Sequence, residues 1–213
     1  QKLYYVDIST KVITEIDFDP YFEFNDYDWS PDSKWIVYSK NSENRFGQVY
    51  LYSLDQKKFY PLTENWYNSG GGTFSSDGKY LFFVLNRDLN PGYSWIEWNI
   101  SYSDMAGIYF ITLSKDVPSL FNPKSDEVEM PKLDAPAPDK DKKKENKTVE
   151  KPVVQSVEIE GIQGRIGKLP VSASSYFNLK AADNKLFYQR RGNMDEKTVL
   201  LVYNFEDRKE TNL

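Results

Sequence analysis

Histidine and cysteine, the residues that carry most hydrolytic and thiol chemistry, are both absent from this chain of 213 residues. A Ser-His-Asp or Cys-His arrangement needs an imidazole to transfer protons near neutral pH, and common zinc sites need imidazole or thiolate ligands. The composition therefore excludes these hydrolases and zinc sites within the chain. It leaves open chemistry by paired carboxylates, tyrosine or lysine, and a hard-cation site built from oxygen atoms.

The candidate acidic cluster of the sequence is Asp17, Asp19, Asp26 and Asp28. Their oxygen atoms could bind a cation, but their spacing does not match an EF-hand loop. Aspartate also forms tight turns, and we favour that interpretation. The glycines at 70–72 do not form a phosphate loop, because no Lys-Ser or Lys-Thr pair follows, and we interpret them as a flexible segment leading into a strand. We predict no catalytic residue, no metal and no cofactor, so the chain itself is not an enzyme.

Composition indicates a strand-rich protein. Aromatic residues make up 16% of the chain, and they pack well on pleated sheets. The net charge of -5 argues against nucleic acid as a partner, because phosphate recognition needs a basic surface. No apolar run reaches the length of about 18 residues that a membrane helix requires, so we expect no membrane partner. The sequence does not determine the compartment, although we favour the periplasm over the cytoplasm.

Two elements recur along the chain. The segment Trp29–Tyr38 returns 45 residues later as Phe74–Phe83, with a degenerate third copy at Asp183–Tyr188. In each copy an aspartate begins a tight turn and an apolar strand follows. A second element, an apolar residue, a polar turn and another apolar residue eight positions later, predicts the same β-hairpin three times. Its end residues are Ile8 and Ile16, Leu54 and Leu62, and Phe205 and Leu213.

Interleaving these elements gives four strands per unit of about 45 residues, which is typical of a β-propeller blade. The apolar runs Trp35–Tyr38 and Tyr80–Leu85 are continuous, which indicates burial on both faces. A β-sandwich, the alternative, would usually show one polar face. We therefore predict an all-β fold, a partial β-propeller of about three and a half four-stranded antiparallel blades.

The predicted blades divide the chain into three parts. Residues 1–130 hold a partial first blade, a full second blade and most of a third, residues 131–152 form an insertion, and residues 153–213 hold the outer strand of the third blade and the fourth blade. The insertion is rich in Lys, Pro, Asp and Glu, so we predict that it is disordered, with a basic interaction tail as the alternative. The predicted segments are Leu3–Ile8 with Val12–Ile16, then Asn25–Thr63, Thr73–Leu113, Val157–Ile166 and Tyr176–Leu213.

One rim of the predicted disc is unusually aromatic. It carries the connections into each innermost strand and those between second and third strands, where propellers commonly bind partners. Aromatic side chains give large contact area at small entropic cost, which suits peptide recognition. They could instead cover their own blades, which is the simpler interpretation because long loops need internal packing. The candidate peptide-binding residues are Tyr21, Phe22, Trp66, Tyr67, Asn68, Tyr93, Trp95 and Trp98.

The segment Trp29–Tyr38 resembles the propeller repeats of tricorn-like peptidases, prolyl oligopeptidases and the TolB group. Seven further segments together resemble the propeller of bacterial tricorn protease homologues, so that the resemblance extends over the chain outside Pro131–Pro152. These segments are Asn86–Pro91, Glu97–Asn99, Asp104–Tyr109, Lys115–Glu127, Ile159–Ile162, Arg165–Ile166 and Leu169–Val171.

This resemblance implies a non-catalytic part of a larger serine peptidase. In that family the propeller precedes a PDZ-like module and a peptidase domain, and it is thought to guide peptides toward the distant catalytic site. The implied partners are peptides and the remainder of a longer parent chain. The alternative is a TolB-like interaction propeller that binds a folded protein, with no peptidase in the parent chain. In either case, terminal blades with exposed apolar faces predict self-association or marginal stability of the isolated chain.

Overall fold

Four consecutive antiparallel sheets make up most of this protein in a computed structural model that describes residues 1–24, 26–93, 99–122, 157–193 and 195–213. A half-blade contains β1 (Lys2–Val6) and β2 (Ile13–Phe18). Blade 2 contains β3 (Tyr27–Trp29), β4 (Trp35–Asn41), β5 (Gly47–Ser53) and β6 (Lys58–Pro61). None of the helices in these ranges is long and apolar enough to cross a membrane.

The two remaining blades follow the same order of strands. Blade 3 begins with β7 (Ser69–Phe74) and β8 (Tyr80–Leu85), is interrupted by a hairpin of β9 (Pro91–Tyr93) and β10 (Ile100–Tyr102), and ends with β11 (Gly107–Thr112) and β12 (Ile166–Lys168). Blade 4 contains β13 (Tyr176–Ala182), β14 (Lys185–Arg190), β15 (Val199–Asn204) and β16 (Lys209–Asn212). The predicted partial propeller of three and a half four-stranded blades is confirmed.

Each sheet packs face to face against the next, which explains the continuous apolar runs. In β8, Leu81 and Phe83 belong to the core shared with blade 2, whereas Phe82 between them belongs to the core shared with blade 4. In β4, Val37 faces blade 3 and Ile36 faces the half-blade. Side chains alternate between the faces of a strand, so a strand between two neighbours needs apolar residues at every position. A sandwich with one polar face is therefore excluded.

The repeated aspartate turn is a structural device, as its recurrence indicates. In blade 3, Asp77 accepts hydrogen bonds from the Ser75 hydroxyl at 2.6 Å and the Lys79 amide at 3.1 Å. Asp32 makes the equivalent contacts in blade 2. The next residues, Ser33 and Gly78, share the left-handed conformation, with φ of 60° and 69°. The three predicted hairpins share a device too, because each has a left-handed residue at the third turn position: Lys11, Lys57 and Arg208, with φ of 58°, 51° and 52°.

The outer strand of blade 3 lies later than the sequence predicted. Most of the predicted segment Val157–Ile166 is not strand, and β12 begins only at its last residue. The apolar residues Val157 and Ile159 are partly buried against the core between blades 2 and 3, and Ile162, in a 3-10 helix at Ile162–Arg165, is buried there. These apolar residues therefore pack against the core between blades 2 and 3 without forming a strand. The predicted insertion at 131–152 lies outside the described residues.

The three glycines at 70–72 were wrongly interpreted as a flexible segment, because they are part of β7, the innermost strand of blade 3. A Cβ atom on Gly72 would lie 2.5 Å from Cγ2 of Val37 in the neighbouring blade. Gly71 has a φ of 68° at an irregularity in the pairing of β7 with β8. Glycine is required here because β7 approaches the side chains of β4 in blade 2 closely.

The two terminal sheets expose apolar side chains. On the half-blade, Tyr4, Val6 and Ile13 are exposed on the face opposite its packed side. On blade 4, Leu200 is exposed and Phe177 is just above one third exposed. Within the propeller, the corresponding faces of blades 2 and 3 are covered by a neighbouring sheet.

Candidate functional site

The two ends of the blades carry different connections. One end, here called the turn rim, holds the links from first to second and from third to fourth strands. The other end, the loop rim, holds the links from second to third strands and the links between blades. Contacts between successive connections confirm that these share one rim: the Asn86 amide donates to the Asn68 carbonyl at 2.9 Å, and Ala106 pairs with Ser174.

The loop rim presents the predicted aromatic residues to solvent. Tyr21 is 80% exposed and Trp66 is 75% exposed, so these two side chains do not cover their own blades. Phe22, Tyr67 and Tyr93 are exposed at 38%, 39% and 65%. Trp95 and Trp98 lie outside the described residues.

Asn68 has a structural position between two loops. Its side-chain oxygen accepts a hydrogen bond from the Gly47 amide at 2.7 Å, and its carbonyl accepts from the Asn86 amide at 2.9 Å. It thereby ties the loop before blade 3 to β5 of blade 2 and to the end of β8.

Tyr21 and Phe22 border a cleft of about 900 Å³ at blade 2, here called the blade 2 cleft. The carboxylate of Asp19 holds the pair in place, accepting hydrogen bonds from the Tyr21 amide at 2.9 Å and the Phe22 amide at 3.0 Å. Lys40 and Arg45 line the same cleft. An aromatic wall beside basic groups can hold an apolar side chain next to a carboxylate or carbonyl oxygen.

Trp66 and Tyr67 border a second cleft of about 490 Å³, here called the blade 3 cleft. The guanidinium of Arg87 lies 5.8 Å from the centre of the Tyr67 ring, within the range of a cation-π contact. Gln163 lines this cleft from the segment before β12. The cleft therefore combines side chains from three separated parts of the chain.

A third cavity, of about 770 Å³, lies at the loop-rim ends of the innermost strands β7 and β13, and is here called the axial cavity. Its lining combines amide, hydroxyl and carboxylate side chains with apolar ones, and Tyr102, Tyr176 and Phe177 are its aromatic members. No lysine or arginine lines it among the described residues. The polar side chains that line it are Asp26, Asn68, Ser69, Asn86, Ser103, Asp104, Ser174, Ser175, Asn178 and Asn193.

Comparison with known proteins agrees with this architecture. Residues 1–213, the whole chain, match the sequence model for the tricorn protease second beta propeller domain. The chain belongs to this family. It is 26% identical over 162 residues to tricorn protease homolog 1 of Streptomyces coelicolor, covering 76% of the chain and 14% of the relative. It is also 26% identical over 180 residues to a tricorn protease homolog of Saccharolobus solfataricus, covering 84% of the chain and 14% of the relative.

Solved structures show the same fold. The crystal structure of the tricorn protease superposes with a TM-score of 0.76 at 18% identity, over 99% of this chain and 20% of that one. A TolB-like protein of Agrobacterium tumefaciens superposes with a TM-score of 0.53 at 10% identity, over 94% of this chain and 51% of that one. The tricorn propeller domain described here thus spans about a fifth or less of the tricorn relatives it matches.

The predicted acidic cluster of this propeller domain is dispersed by the fold. No group of three or more acidic residues that could hold a metal ion occurs in the described ranges. Asp19 forms a turn, as predicted, but the turn interpretation is wrong for the other three. Asp17 binds the Tyr38 hydroxyl at 2.8 Å and Lys40 at 2.9 Å. Asp26 and Asp28 instead link neighbouring innermost strands.

Asp26 and Asp28 bind groups of other blades and do not form turns of their own. Asp26 accepts a hydrogen bond from the Gly71 amide of the next blade. Asp28 accepts from the Thr73 hydroxyl at 2.7 Å, also in the next blade, and pairs with Lys180 of blade 4 at 2.7 Å. The contacts with Gly71 and Thr73 join residues at equivalent positions of different blades. The sequence shows that the positions are equivalent, but it does not show that these residues are in contact.

The pKa shifts in the described part of the tricorn propeller domain all point away from neutral pH. Burial raises the pKa of Tyr38 and Tyr188, and a neighbouring carboxylate raises each further. A hydrogen bond from Arg190 lowers the pKa of Asp195. The remaining shifted tyrosine, lysine and arginine groups also have raised pKa values, and the shifted carboxyl groups have lowered ones. General acid-base catalysis needs the opposite shifts, toward the working pH.

The sequence prediction of the rim missed its charged residues. Arg45 and Arg87 each stand in a loop-rim connection between a second and a third strand, so their placement on this rim was available from the strand pattern. The sequence did not predict which of these residues lie close together, because Arg87 contacts Tyr67 only through the packing of two successive loops. Asp104 was missed for the same reason.

Proposed function

We propose that this tricorn propeller domain is a non-catalytic surface that contacts peptides and gates their access to a peptidase domain elsewhere in the parent protein. The observation that carries the proposal is the solvent exposure of Tyr21 and Trp66 at the mouths of two neighbouring clefts. Large exposed aromatic side chains at a cleft are costly in contact with water and are typical of binding surfaces.

The clefts suit extended peptides better than small ligands. Each joins an aromatic wall to a basic group and to backbone or amide polar groups, and both open on the same rim. An extended peptide offers alternating side chains and regularly spaced carbonyl groups, which such a surface can bind with little sequence preference. Catalysis is assigned elsewhere because this chain lacks histidine and cysteine.

Peptide binding tests the proposal directly. We expect fluorescence anisotropy with a labelled, unstructured decapeptide to show saturable binding, and Trp66→Ala to weaken it by about fivefold or more, as aromatic contacts in interfaces commonly do. Ile8→Ala is the control, because Ile8 is 91% exposed but lies at a turn-rim hairpin. Equal binding by the wild type and Trp66→Ala would contradict the proposal.

A propeller that binds a folded partner, with no peptidase in the parent chain, is the alternative. The TolB-like structure supports the shared fold alone, whereas the family match is to a tricorn domain. Recovery of one stoichiometric folded partner, without binding of unstructured peptides, would favour this alternative.

We propose in addition that the exposed faces of the half-blade and blade 4 are covered in the parent protein by its remaining parts. Tyr4 and Leu200 mark these two faces. When nothing covers them, burying this apolar area between copies is favourable, so the isolated chain is expected to self-associate. Light scattering that shows a stable monomer at high concentration would contradict this.

A further inference from the structure

The axial cavity differs in charge from the two clefts. The blade 2 cleft is lined by the basic Lys40 and Arg45 together with two acidic residues, and the blade 3 cleft by Arg87 together with Glu64, so the charges in each cleft balance. The axial cavity contains two carboxylates, Asp26 and Asp104, and no basic residue among those that line it in the described ranges. The cavity therefore presents negative charge that its own walls do not neutralise.

These two carboxylates also lack the ion pairs that several other partly buried aspartates have. Asp17, Asp28 and Asp195 each lie within 3.1 Å of a lysine or arginine nitrogen. Neither Asp26 nor Asp104 forms an ion pair with a described residue. A carboxylate in a partly enclosed site is stabilised by a cation, and here the propeller supplies none.

A buried hydroxyl without a partner lies beside Asp104. Ser174 is only 3% exposed and lines the axial cavity, and its Oγ has no hydrogen-bond partner among the described residues. A Cβ atom on Gly192 would lie 2.5 Å from this Oγ and 3.1 Å from Oδ1 of Asp104, so the hydroxyl and the carboxylate meet around the same glycine. Buried polar atoms are normally satisfied, so an unpartnered hydroxyl at a cavity wall needs an explanation, and a bound polar group is one.

The remaining contacts of the two carboxylates leave acceptor capacity. Both oxygens of Asp104 accept from a single donor, the Asn193 amide, at 3.1 Å. For Asp26, the contacts from the Ser39 hydroxyl at 2.6 Å and from the Gly71 amide both fall on Oδ2. An ionised carboxylate offers about four acceptor positions, so each can take at least one further N–H donor.

We propose that the axial cavity binds a cationic group of a peptide, either its α-ammonium group or a lysine or arginine side chain. This inference rests on the proposed peptide contact and specifies its chemistry. Asp26 and Asp104 supply the charge, and the unpartnered hydroxyl of Ser174 lies at the wall of the cavity beside Asp104. Tyr102 and Phe177 offer aromatic faces on which the cation can rest. A volume of about 770 Å³ is ample for one such group.

The test compares four forms of one labelled decapeptide: amino terminus free or acetylated, each with a central lysine or with glutamine in its place. We expect removal of both cations to weaken binding to the protein by about fivefold or more, which corresponds to one partly buried charge-assisted contact. The single removals identify the source, because only the group that enters the cavity changes the affinity. Raised salt should weaken the cationic forms preferentially.

Asp104→Asn is the diagnostic variant. Asparagine keeps an oxygen for the Asn193 amide and tolerates the left-handed backbone of Asp104, whose φ is 51°. We expect this variant to lose the preference for cationic peptides. Asp183→Asn is the matched control, because Asp183 also has a φ of 51° but lies in a turn-rim hairpin. Asp26→Asn provides a second, independent variant.

The outcomes separate this inference from the proposed function. If Asp104→Asn and Asp26→Asn keep the wild-type preference for cationic peptides, the axial cavity does not bind the cation and the inference is overturned. If the wild type binds all four peptides equally while Trp66→Ala weakens all four, the inference fails and the peptide-binding rim stands. If the wild type binds none of the four peptides, both proposals fail.

Discussion

The turn rim and the loop rim connect the same strands, yet only the turn rim repeats one contact in every complete blade. In every complete blade, the first residue after the third strand donates its amide to the turn between the first two strands. The donor and acceptor pairs are Leu54 with Lys34 at 3.0 Å, Leu113 with Lys79 at 2.9 Å and Phe205 with Asn184 at 3.2 Å. The same short-range contacts thus close each blade at this end.

The loop rim varies where the turn rim repeats. Its links between second and third strands cover residues 42–46, 86–106 and 191–198, and the longest includes a hairpin of its own. Exposed aromatic residues and the three cavities lie here. The repeated turns and the cores between blades stabilise the fold, here called the frame. The loops of the other rim are therefore free to vary and to bind partners.

The largest effect should come from the frame itself. Phe82 is fully buried in the core between blades 3 and 4 and stacks on Phe205 at 5.2 Å between ring centres. We expect Phe82→Ala to lower the free energy of unfolding by about 3–5 kcal/mol, because it removes apolar contacts and leaves a cavity. Urea unfolding of the variant and the wild type measures this. A loss below about 1 kcal/mol would mean that the blades do not share a tightly packed core.

The second effect concerns the one connection on the turn rim that is not a tight hairpin. The guanidinium of Arg165 donates to the carbonyls of Thr112 at 2.9 Å and Glu160 at 3.0 Å, and also to that of Glu158. It holds the chain before β12 against blade 3. We expect Arg165→Ala to cost about 1.5–3 kcal/mol, as for hydrogen bonds to charged groups.

Hydrogen exchange locates this effect. Amides of β12 should exchange faster in Arg165→Ala, while those of β16, the equivalent strand of blade 4, should not change. Arg165→Lys is the control for charge, because lysine keeps the charge but cannot reach several carbonyls at once. Equal exchange in β12 of the wild type and both variants would show that this strand does not depend on the guanidinium.

A smaller effect tests whether the turns are equivalent. Gly78 and Ser33 occupy matching left-handed positions, and nothing lies within 4 Å of a Cβ placed on Gly78. Gly78→Ser should therefore cost only backbone strain, about 1 kcal/mol. Ser33→Gly should shift stability the other way by less than about 1 kcal/mol, because glycine also increases the entropy of the unfolded chain. Thermal unfolding of both variants checks the pair, and shifts of the same sign would show that the two turns differ.

The smallest effect on stability is expected on the loop rim. Trp66 is 75% exposed, so Trp66→Ala should change the free energy of unfolding by less than about 0.5 kcal/mol. The same urea titration used for Phe82→Ala measures it. A loss comparable to that of Phe82→Ala would mean that the rim aromatics are part of the frame, and the contrast between the rims would disappear.

Much of the frame could be predicted from the sequence. The repeated aspartate turns, the three hairpins and the apolar runs such as Tyr80–Leu85 are local patterns, and each forms the predicted element. The segment Val157–Ile166 was misassigned because a few closely spaced apolar residues fit a strand as well as they fit an irregular segment that packs on a core. A local apolar pattern predicts that a segment is buried, but it does not predict whether the segment pairs as a strand or packs on another element.

The sequence by itself determined the period, the four-stranded unit and the absence of imidazole and thiol chemistry, because turns and strand faces depend on residues close together in the chain. Only the tertiary structure decided that Gly72 must be glycine against Val37, that Asp28 contacts Lys180 and that Asp104 and Ser174 both approach Gly192. Each of these pairs joins different blades or distant loops. The packing of the blades around a common axis sets these distances. The sequence repeat specifies the strands of each blade, but it does not specify which side chains of neighbouring blades come into contact.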